Sequence, residues 1–303
     1  MINLYEVGEI MKNKIRASII IPTKDKITRL RLVLKALEKQ VDDSIEVIVV
    51  FDGNSSQTIE AFYKLNFTYQ PQIILIEKNM GRSAARNIGI NQAKGEVIIL
   101  MDDDVIPSKD FIAKHLAGHT QRCVLMGATR DTFLSETEIE QLDLDERIIK
   151  NDLTLLNEIS HFIRKPIFIN TLFKLFGNGF PLKWLLVFTN NLSLNRKDLL
   201  EVGGFNENFK GWGHEDIELG YRLHKHGLRF KKDFSIVNYH LVHGNNDYQR
   251  LNDSILNLKH FLKEHRGIIA QAWIRLLILK ENVRKLLQVL HQGKIISNKN
   301  WRY

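Results

Sequence analysis

The chain has 303 residues, a net charge of +8 and a hydrophobic fraction of 44%, enough for a sizeable core in one large or two small domains. Its single cysteine excludes an internal disulfide framework and a cysteine-based zinc cluster. The N-terminus shows no apolar signal-peptide region, and no apolar run approaches the roughly 20 residues that span a bilayer. We therefore expect a cytoplasmic protein, either soluble or peripheral to a membrane.

The first hundred residues alternate apolar strands with amphipathic helices. Strands are predicted at 17–23 and 45–53 and in "QIILIEK" and "EVIILM", with a helix after each of the first three. Strands that are apolar throughout and alternate with helices indicate an α/β fold with a parallel sheet covered on both faces. In such sheets, ligands bind beyond the carboxyl ends of the strands. Thr23, Asp52 and Asp102–Asp104 lie just past such ends.

The second half is less regular. Residues 131–158 are acidic and predicted to be helical, and the segment "FIRKPIFINTLFKLFGNGFPLKWLLVF" that follows is basic, aromatic and without acids. "TNNLSLNRKDLLEVGGF" predicts a strand and a short helix that stops at Gly203–Gly204. "SIVNYHLVHG" predicts a strand that bears His240 and His243.

The C-terminal region is predicted to be helical from about Asp253 to about Leu290, and it is strongly basic. A basic segment of this kind suits nucleic acid, anionic lipid or an acidic substrate, or it is simply a solvated helix face. Apolar residues recur at helical spacing within Ile268–Leu290, so this helix could lie on an anionic membrane. The alternative is that the apolar stripe packs on the catalytic domain or on a second subunit. The residues available to its polar face are Arg275, Lys280, Arg284 and Lys285.

Three adjacent aspartates, Asp102, Asp103 and Asp104, end the fourth strand. Adjacent carboxylates repel each other, and a divalent cation with a preference for oxygen ligands, Mg²⁺ or Mn²⁺, removes that repulsion. A solvated acidic turn is the alternative, but the convergence of polar residues at one sheet edge favours a metal site. One histidine, either His240 or His243, is the expected third protein ligand.

Two glycine-containing motifs supply further candidate residues. In "NMGRSAARNIG", Gly81 permits a tight turn, and Arg82 and Arg86 can pair with phosphate or with the aspartates. For Arg86, an ion pair that braces the acidic loop is as acceptable as direct ligand contact.

The second motif is "GWGHEDIEL". Gly211 and Gly213 allow close backbone approach, and Trp212 offers a flat surface on which a sugar ring can stack. Glu215 and Asp216 begin a helix, where the macrodipole favours ionised carboxylates. Capping would explain one of them, whereas two adjacent acids suit a general base with a hydroxyl-binding partner.

The motifs "SIIIPTKD", "VIVVFDGN", "NMGRSAARNIG", "ILMDDDVIP" and "GWGHEDIEL" together resemble a family 2 glycosyltransferase of the GT-A fold. The resemblance covers roughly Ala17–His243 and is strongest to galactosyl- and N-acetylgalactosaminyl-transferring enzymes, including chondroitin-polymerase-type domains. It implies a Rossmann-like, mostly parallel sheet flanked by helices, here with a helical C-terminal extension.

The resemblance also implies roles for individual residues. Asp104 binds Mn²⁺ or Mg²⁺, Asp102 contacts the metal or the ribose, and Asp103 takes the variable position between them. The nucleotide is held by Pro22, Thr23 and Asp52, with Asp52 facing the uracil.

For catalysis, the resemblance makes Asp216 the base and Glu215 the residue that holds a sugar hydroxyl. Retaining relatives that glycosylate polypeptides carry Asn at the position of Asp216, which favours inversion here.

We accordingly predict a tail at 1–16, a catalytic domain at 17–248 and a basic helical extension at 249–303. The catalytic domain divides into a nucleotide-sugar half, 17–107, and an acceptor half, 108–248. The predicted activity is metal-dependent, inverting transfer of a hexose or N-acetylhexosamine from a UDP-sugar to a hydroxyl of a glycan, a lipid-linked acceptor or a peptide. We expect no nucleic-acid partner, and the oligomeric state stays open.

Two other classes of protein stay open. A sugar-1-phosphate nucleotidyltransferase would need a glycine-rich loop after the first strand, and "IPTKDKITRL" contains no glycine. A non-catalytic binding module would have no need for both "DDD" and "ED". A Rossmann dehydrogenase is disfavoured because no G-x-G-x-x-G follows a strand.

Overall fold

A computed structural model describes residues 14–162, 182–242 and 247–299. The predicted His243 and most of the basic aromatic segment lie outside these ranges. Within the described residues, no helix combines the length and the apolar character needed to cross a membrane.

The N-terminal part of the sheet is parallel, as the alternating pattern predicted. β1 pairs with β2 and β4, and β2 pairs with β3, giving the order β3-β2-β1-β4. Ile20 faces one side of the sheet with Ala85, whereas Ile19 and Ile21 face the other side with Leu30, so both faces are buried. The elements are β1 Ala17–Thr23, α1 Ile27–Leu37, β2 Ile45–Asp52, α2 Ser56–Tyr63, β3 Gln72–Ile76, α3 Arg82–Gln92 and β4 Val97–Leu100.

The rest of the sheet mixes directions. β8 pairs antiparallel with β4 and with β6, β9 runs parallel to β6, and β5 pairs antiparallel with β9. The short β7 adds to the edge of β6. This part comprises β5 Val105–Pro107, α4 Phe111–Gly118, β6 Cys123–Phe133, α5 Glu136–Gln141, α6 Leu144–Ile149, α7 Thr154–Ile159, β7 His161–Phe162, a 3₁₀ turn Lys183–Leu186, β8 Leu192–Asn195, α8 Arg196–Glu201, α9 Glu215–Lys225 and β9 Arg229–Val242.

Two helices, α10 Asp247–Glu264 and α11 Ile268–Lys299, complete the chain and pack against each other. The helical region therefore begins before Asp253 and continues past Leu290, the bounds predicted from the sequence. Leu258, Phe261 and Ile274 join the core that lies on the α3 side of the sheet. The C-terminal helices are thus packed onto the α/β part of the molecule.

Candidate active site

A cavity of about 880 Å³ lies at the carboxyl ends of β1, β2 and β4 and extends along β6 to the start of α9. It brings together residues predicted from six separate segments of the sequence. Of the predicted site residues that the structure describes, only Gly213 is not part of its wall. The others are Pro22, Thr23, Asp52, Arg82, Arg86, Asp102, Asp103, Asp104, Gly211, Trp212, Glu215, Asp216 and His240.

The aspartate cluster is held by polar contacts from the first strand and the loop after it. Thr23 Oγ1 donates to Asp103 Oδ2 at 2.8 Å, and Lys26 Nζ donates to Asp103 Oδ1 at 3.0 Å and to Asp104 Oδ2 at 2.9 Å. Burial raises the pKa of Asp103, an effect that the Lys26 charge partly offsets. Burial lowers the pKa of Lys26, but the two carboxylates raise it above its ordinary value. Lys26 was not predicted as a site residue, although it stands directly after "SIIIPTKD".

His240 lies beside Asp104 because β9 pairs with both β5 and β6. Its Nε2 is 3.8 Å from Asp104 Oδ1, and its Nδ1 is 2.8 Å from Asp131 Oδ1, opposite which it sits in the β6–β9 register. Burial lowers the pKa of His240, but the hydrogen bond to Asp131 and the charge of Asp104 raise it overall.

This donor set fits a divalent ion. An ionised carboxylate can only accept, so Asp131 accepts a hydrogen bond from Nδ1–H, and in the neutral ring the Nε2 lone pair is then directed at Asp104. A histidine oriented in this way by a carboxylate is the usual arrangement at metal sites. The residues that would hold the ion are Asp104 and His240, with Asp102 nearby in sequence.

A buried arginine joins the aspartate cluster to the start of α9. Arg86 is only 1% exposed, and it donates to Asp102 Oδ1 at 2.7 Å and to Glu215 Oε1 at 3.2 Å. Arg82 Nη1 lies 3.5 Å from the same Glu215 oxygen. The bracing ion pair considered for Arg86 is therefore the contact that the structure contains, while phosphate contact by Arg82 or Arg86 stays a prediction.

Glu215 and Asp216 differ in environment although they are neighbours. Burial would raise the pKa of Glu215, but the charges of Arg82 and Arg86 lower it below its ordinary value. Glu215 is thus held as a buried, paired anion. Asp216 is half-buried on the cavity wall, where its charge contributes to the raised pKa of Arg82.

Asp52 is turned toward the loop before α3. Its carboxylate accepts hydrogen bonds from the backbone N–H groups of Met80, at 2.7 Å, and Gly81, at 2.9 Å. These bonds hold the start of the "NMGRS" motif against the end of β2. Contact between Asp52 and the base of a nucleotide stays a prediction.

The loop that carries Trp212 is held by α10. Asp253 Oδ2 accepts the Trp212 N–H at 3.1 Å, and Asn257 Nδ2 donates to the carbonyls of Lys210, at 3.0 Å, and Gly213, at 2.8 Å. Gly211 has a φ of +68°, and a Cβ there would stand 2.3 Å from Asp253 Oδ2, so this position requires glycine.

Two further residues of α10 contact the same loop. Ser254 Oγ lies 2.8 Å from His214 Nε2, and the Arg250 guanidinium lies 5.2 Å from the centre of the Trp212 ring. Positions 250, 253, 254 and 257 share one face of a helix. The sequence analysis did not predict this clamp, although the polar residues at these four positions recur at helical spacing and were an available signal.

Below the cavity floor, His115 and Asn191 form a buried polar network. His115 Nδ1 lies 2.9 Å from Ser193 Oγ and its Nε2 lies 3.1 Å from Asn191 Oδ1, while Asn191 Nδ2 donates to the Ala128 carbonyl at 3.0 Å. Burial lowers the pKa of His115 to about 4, so the ring is neutral. The network supports the stretch of β6 that lines the cavity.

Two other groups of acids and histidines stand away from the cavity. In one of them, Glu218 accepts hydrogen bonds from Nε and Nη2 of Arg222, each at 2.7 Å, so its charge is already balanced. In the other, Glu201 accepts from His226 at 2.9 Å. Neither group requires an ion to account for its contacts.

Comparison with known proteins identifies the family and agrees with this fold. The model of the family "Glycosyl transferase family 2" matches residues 18–201, more than half of the chain, and "N-terminal domain of galactosyltransferase" matches residues 176–245. The chain therefore belongs to glycosyltransferase family 2, as the sequence motifs predicted, and it is a glycosyltransferase.

Two curated relatives illustrate the similarity. The chain is 29% identical over 280 residues to the uncharacterized glycosyltransferase YfnE of Bacillus subtilis, covering 84% of this chain and 71% of that protein. It is 29% identical over 252 residues to chondroitin synthase of Escherichia coli, covering 74% of this chain and only 34% of that protein. The predicted likeness to chondroitin-polymerase-type domains is thereby confirmed.

Solved structures show the same fold. S. aureus TarS 1–349, in complex with UDP-GlcNAc, has a TM-score of 0.57 at 16% identity, covering 88% of this chain and 72% of that chain. The mannosyltransferase PcManGT from Pyrobaculum calidifontis, in complex with GDP-Man and Mn²⁺, has a TM-score of 0.58 at 15% identity, covering 93% of this chain and 80% of that chain. The predicted GT-A fold is confirmed.

Proposed function

We propose that this glycosyltransferase is metal-dependent and inverting, and that it moves a hexose or N-acetylhexosamine from a UDP-sugar to an acceptor hydroxyl. The observation that carries the proposal is the placement of the Asp104–His240 pair and of Asp216 in the wall of one cavity. The pair suits a divalent ion, and Asp216 suits a general base. The two functions that transfer requires are therefore within reach of one bound donor.

The donor end of the cavity is built to accommodate negative charge. A divalent ion on Asp104 and His240 would offset the charge that develops on the leaving diphosphate. Arg82 adds a guanidinium on the same wall, near Glu215 and the aspartates. Binding of UDP-GlcNAc by TarS and of GDP-Man with Mn²⁺ by PcManGT, as their structures are described, supports a nucleotide-sugar with a metal here.

In the proposed reaction, the acceptor oxygen attacks the anomeric carbon from the face opposite the diphosphate. The new bond joins that carbon to the acceptor oxygen, the bond to the phosphate oxygen breaks, and UDP leaves with the bonding electrons. The Asp216 carboxylate receives the acceptor proton. Glu215 is unsuited to this role because two arginines lower its pKa and hold its oxygen.

A screen of UDP release tests the proposal most directly. The chain is incubated with UDP-galactose, UDP-GalNAc, UDP-GlcNAc and UDP-glucose, each with Mn²⁺ and with a chelator, and GDP-mannose serves as the contrasting donor. We expect release from at least one UDP-sugar that depends on the metal and increases with acceptor. Release of GDP from GDP-mannose, without release of UDP from any UDP-sugar, would overturn the proposed donor class. Release that the chelator leaves unchanged would overturn the proposed metal dependence.

We also propose that α11 places the enzyme on an anionic membrane surface. One face of α11 is buried through Ala270 and Ile274, and the other exposes an apolar stripe. Exposed fractions along the stripe are 63% for Ile269, 52% for Leu276, 61% for Leu279, 47% for Val283 and 58% for Leu286.

Charge favours lipid over a second copy of the chain as the partner of this stripe. Arg275, Lys280 and Arg284 are exposed beside it, and the only acid of residues 268–299, Glu281, is buried. Two such stripes would bring like charges together, whereas each basic residue near an anionic membrane contributes about 1 kcal/mol. A position on the cytoplasmic face of the membrane would suit this arrangement.

Vesicle co-sedimentation distinguishes these partners. We expect salt-sensitive binding to phosphatidylglycerol vesicles, weak binding to phosphatidylcholine vesicles, and loss of binding in the double variant Leu276→Ser, Leu279→Ser. Analytical ultracentrifugation of the same two proteins provides the second readout. A dimer that the double variant abolishes, without vesicle binding by the parent, would assign the stripe to a second subunit.

A further inference from the structure

The end of the cavity away from the aspartate cluster contains a half-buried lysine. Lys232 lines the cavity from β9, and its Nζ lies 5.4 Å from the centre of the Phe234 ring. Phe234 also lines the cavity and is 47% exposed. Burial lowers the pKa of Lys232, and no carboxylate offsets that effect.

Three other cations of the cavity wall have acidic partners. Lys26, Arg82 and Arg86 lie 2.9, 3.5 and 2.7 Å from carboxylate oxygens. Lys232 has no hydrogen bond or ion pair with any side chain that the structure describes. Its neighbour Asp233 accepts instead from the Ser235 backbone, at 2.9 Å, and hydroxyl, at 2.7 Å.

Outside the described ranges, the only acids of the sequence are Glu6 and Glu9, near the N-terminus. Residues 163–181, which lie outside the described ranges, contain three basic residues and no aspartate or glutamate. A half-buried ammonium without a counter-charge is unfavourable, because burial removes water that nothing replaces. An anionic ligand would remove that cost.

A local irregularity of the sheet presents the side chains of Lys232 and Phe234 to the cavity. Met126 pairs with Lys232 and Ala128 pairs with Val237, so four residues of β9 stand opposite Gly127 alone. Bulges of this kind redirect side chains and are frequent beside active sites.

The register also separates Lys232 from the metal-binding pair. Lys232 stands opposite Met126 and His240 stands opposite Asp131, so the two positions are five residue steps apart along β6, about 16 Å of strand. A diphosphate at Asp104 and His240 would therefore lie at the other end of β6. The anion at Lys232 must come from a different part of the reacting molecules.

We propose that Lys232 and Phe234 form an acceptor subsite for a sugar residue that bears a carboxylate or a phosphate. Phe234 would stack on the sugar ring, and Lys232 would donate a charge-assisted hydrogen bond to the anionic group. This inference rests on the proposed function, because it assigns the opposite end of the cavity to the donor. It predicts that acceptors are acidic glycans or phosphate-bearing glycans rather than neutral ones.

Ligand-observed NMR titration tests the subsite in the full chain with UDP and Mn²⁺ present. The probes are p-nitrophenyl β-D-glucuronide, glucose 6-phosphate and the neutral p-nitrophenyl β-D-glucoside. We expect one anionic probe to bind about tenfold more tightly than the glucoside, the gain that one charged hydrogen bond gives. The anionic probe that binds more tightly identifies the group as a carboxylate or a phosphate.

Three variants assign this preference to Lys232. Lys232→Gln should abolish it, Lys232→Arg should retain most of it, and Lys231→Gln, the exposed neighbour on the same strand, should bind like the parent. Equal binding of all probes, or a preference that survives in Lys232→Gln, would overturn the inference.

UDP titration of the same variants identifies the remaining source of negative charge. If Lys232→Gln lowers UDP affinity as much as it lowers affinity for the anionic probe, the lysine is assigned to the donor diphosphate and the subsite is overturned. The UDP-release screen fails or succeeds independently of these titrations. Failure of the subsite can therefore be told apart from failure of the proposed activity.

Discussion

The donor end of the cavity and the loop Lys210–His214 are supported in different ways. At the donor end, Thr23 and Asp52 end two parallel strands and the aspartates follow a third, so their positions come from the strands that carry them. The loop Lys210–His214 depends instead on α10, whose contacting residues come about forty positions later in the chain. Damage at the donor end should therefore abolish chemistry, whereas damage to the clamp should act through loop position and weaken it.

The largest effect is expected at the donor end from Asp104→Ala. This change removes the carboxylate that faces His240, so Mn²⁺-dependent UDP binding and transfer should both fall below detection. Isothermal titration with UDP, with and without Mn²⁺, measures the first, and a UDP-release assay measures the second. Asp43→Ala, an exposed aspartate before β2, is the matched control. Unchanged Mn²⁺-dependent affinity in Asp104→Ala would refute the metal assignment.

Asp216→Asn should separate chemistry from donor binding. The amide keeps the shape of the side chain but cannot accept the acceptor proton, so kcat should fall by about 10²–10⁴-fold. UDP affinity should stay close to that of the parent because Asp104 and His240 are intact. A kcat like that of the parent would exclude Asp216 as the base.

His115→Gln should change how the free energy of unfolding depends on pH. The folded-state pKa of His115 is about 4 against an ordinary value of 6.5, so the unfolded chain takes up the proton first as pH falls. The contribution, about 3 kcal/mol, is present above pH 6.5 and is lost between pH 6.5 and about 4. Urea unfolding across that range should show a flatter pH dependence in the variant, and an identical slope would contradict the assignment.

Asn257→Ala should have the smallest effect. It removes two hydrogen bonds to the Trp212 loop, each worth about 1 kcal/mol, so kcat/KM should fall by about tenfold or more. Lys259→Ala, an exposed position on the same helix, is the control for helix stability. Equal activity of the two variants would show that the loop does not need the clamp. The contrast between the donor end and the loop would then disappear.

Much of the donor end could be predicted because it obeys local rules. Apolar runs that alternate with helices dictate a parallel sheet, and parallel strands bring their carboxyl ends to one edge. The sequence therefore predicts that Asp52 and Asp102–Asp104 converge. For Arg86 it allows two interpretations, since spacing alone does not distinguish an ion pair from a phosphate contact.

The sequence by itself determined the family, the fold and the residues at the strand ends, because periodicity and short motifs encode them locally. Only the tertiary structure decided the partners of those residues. Asp131 orients His240 through the β6–β9 register, Asn257 reaches the Trp212 loop from a distant helix, and Lys232 forms no ion pair with a described residue. Each of these depends on strand pairing or helix docking between distant segments, which no local pattern specifies.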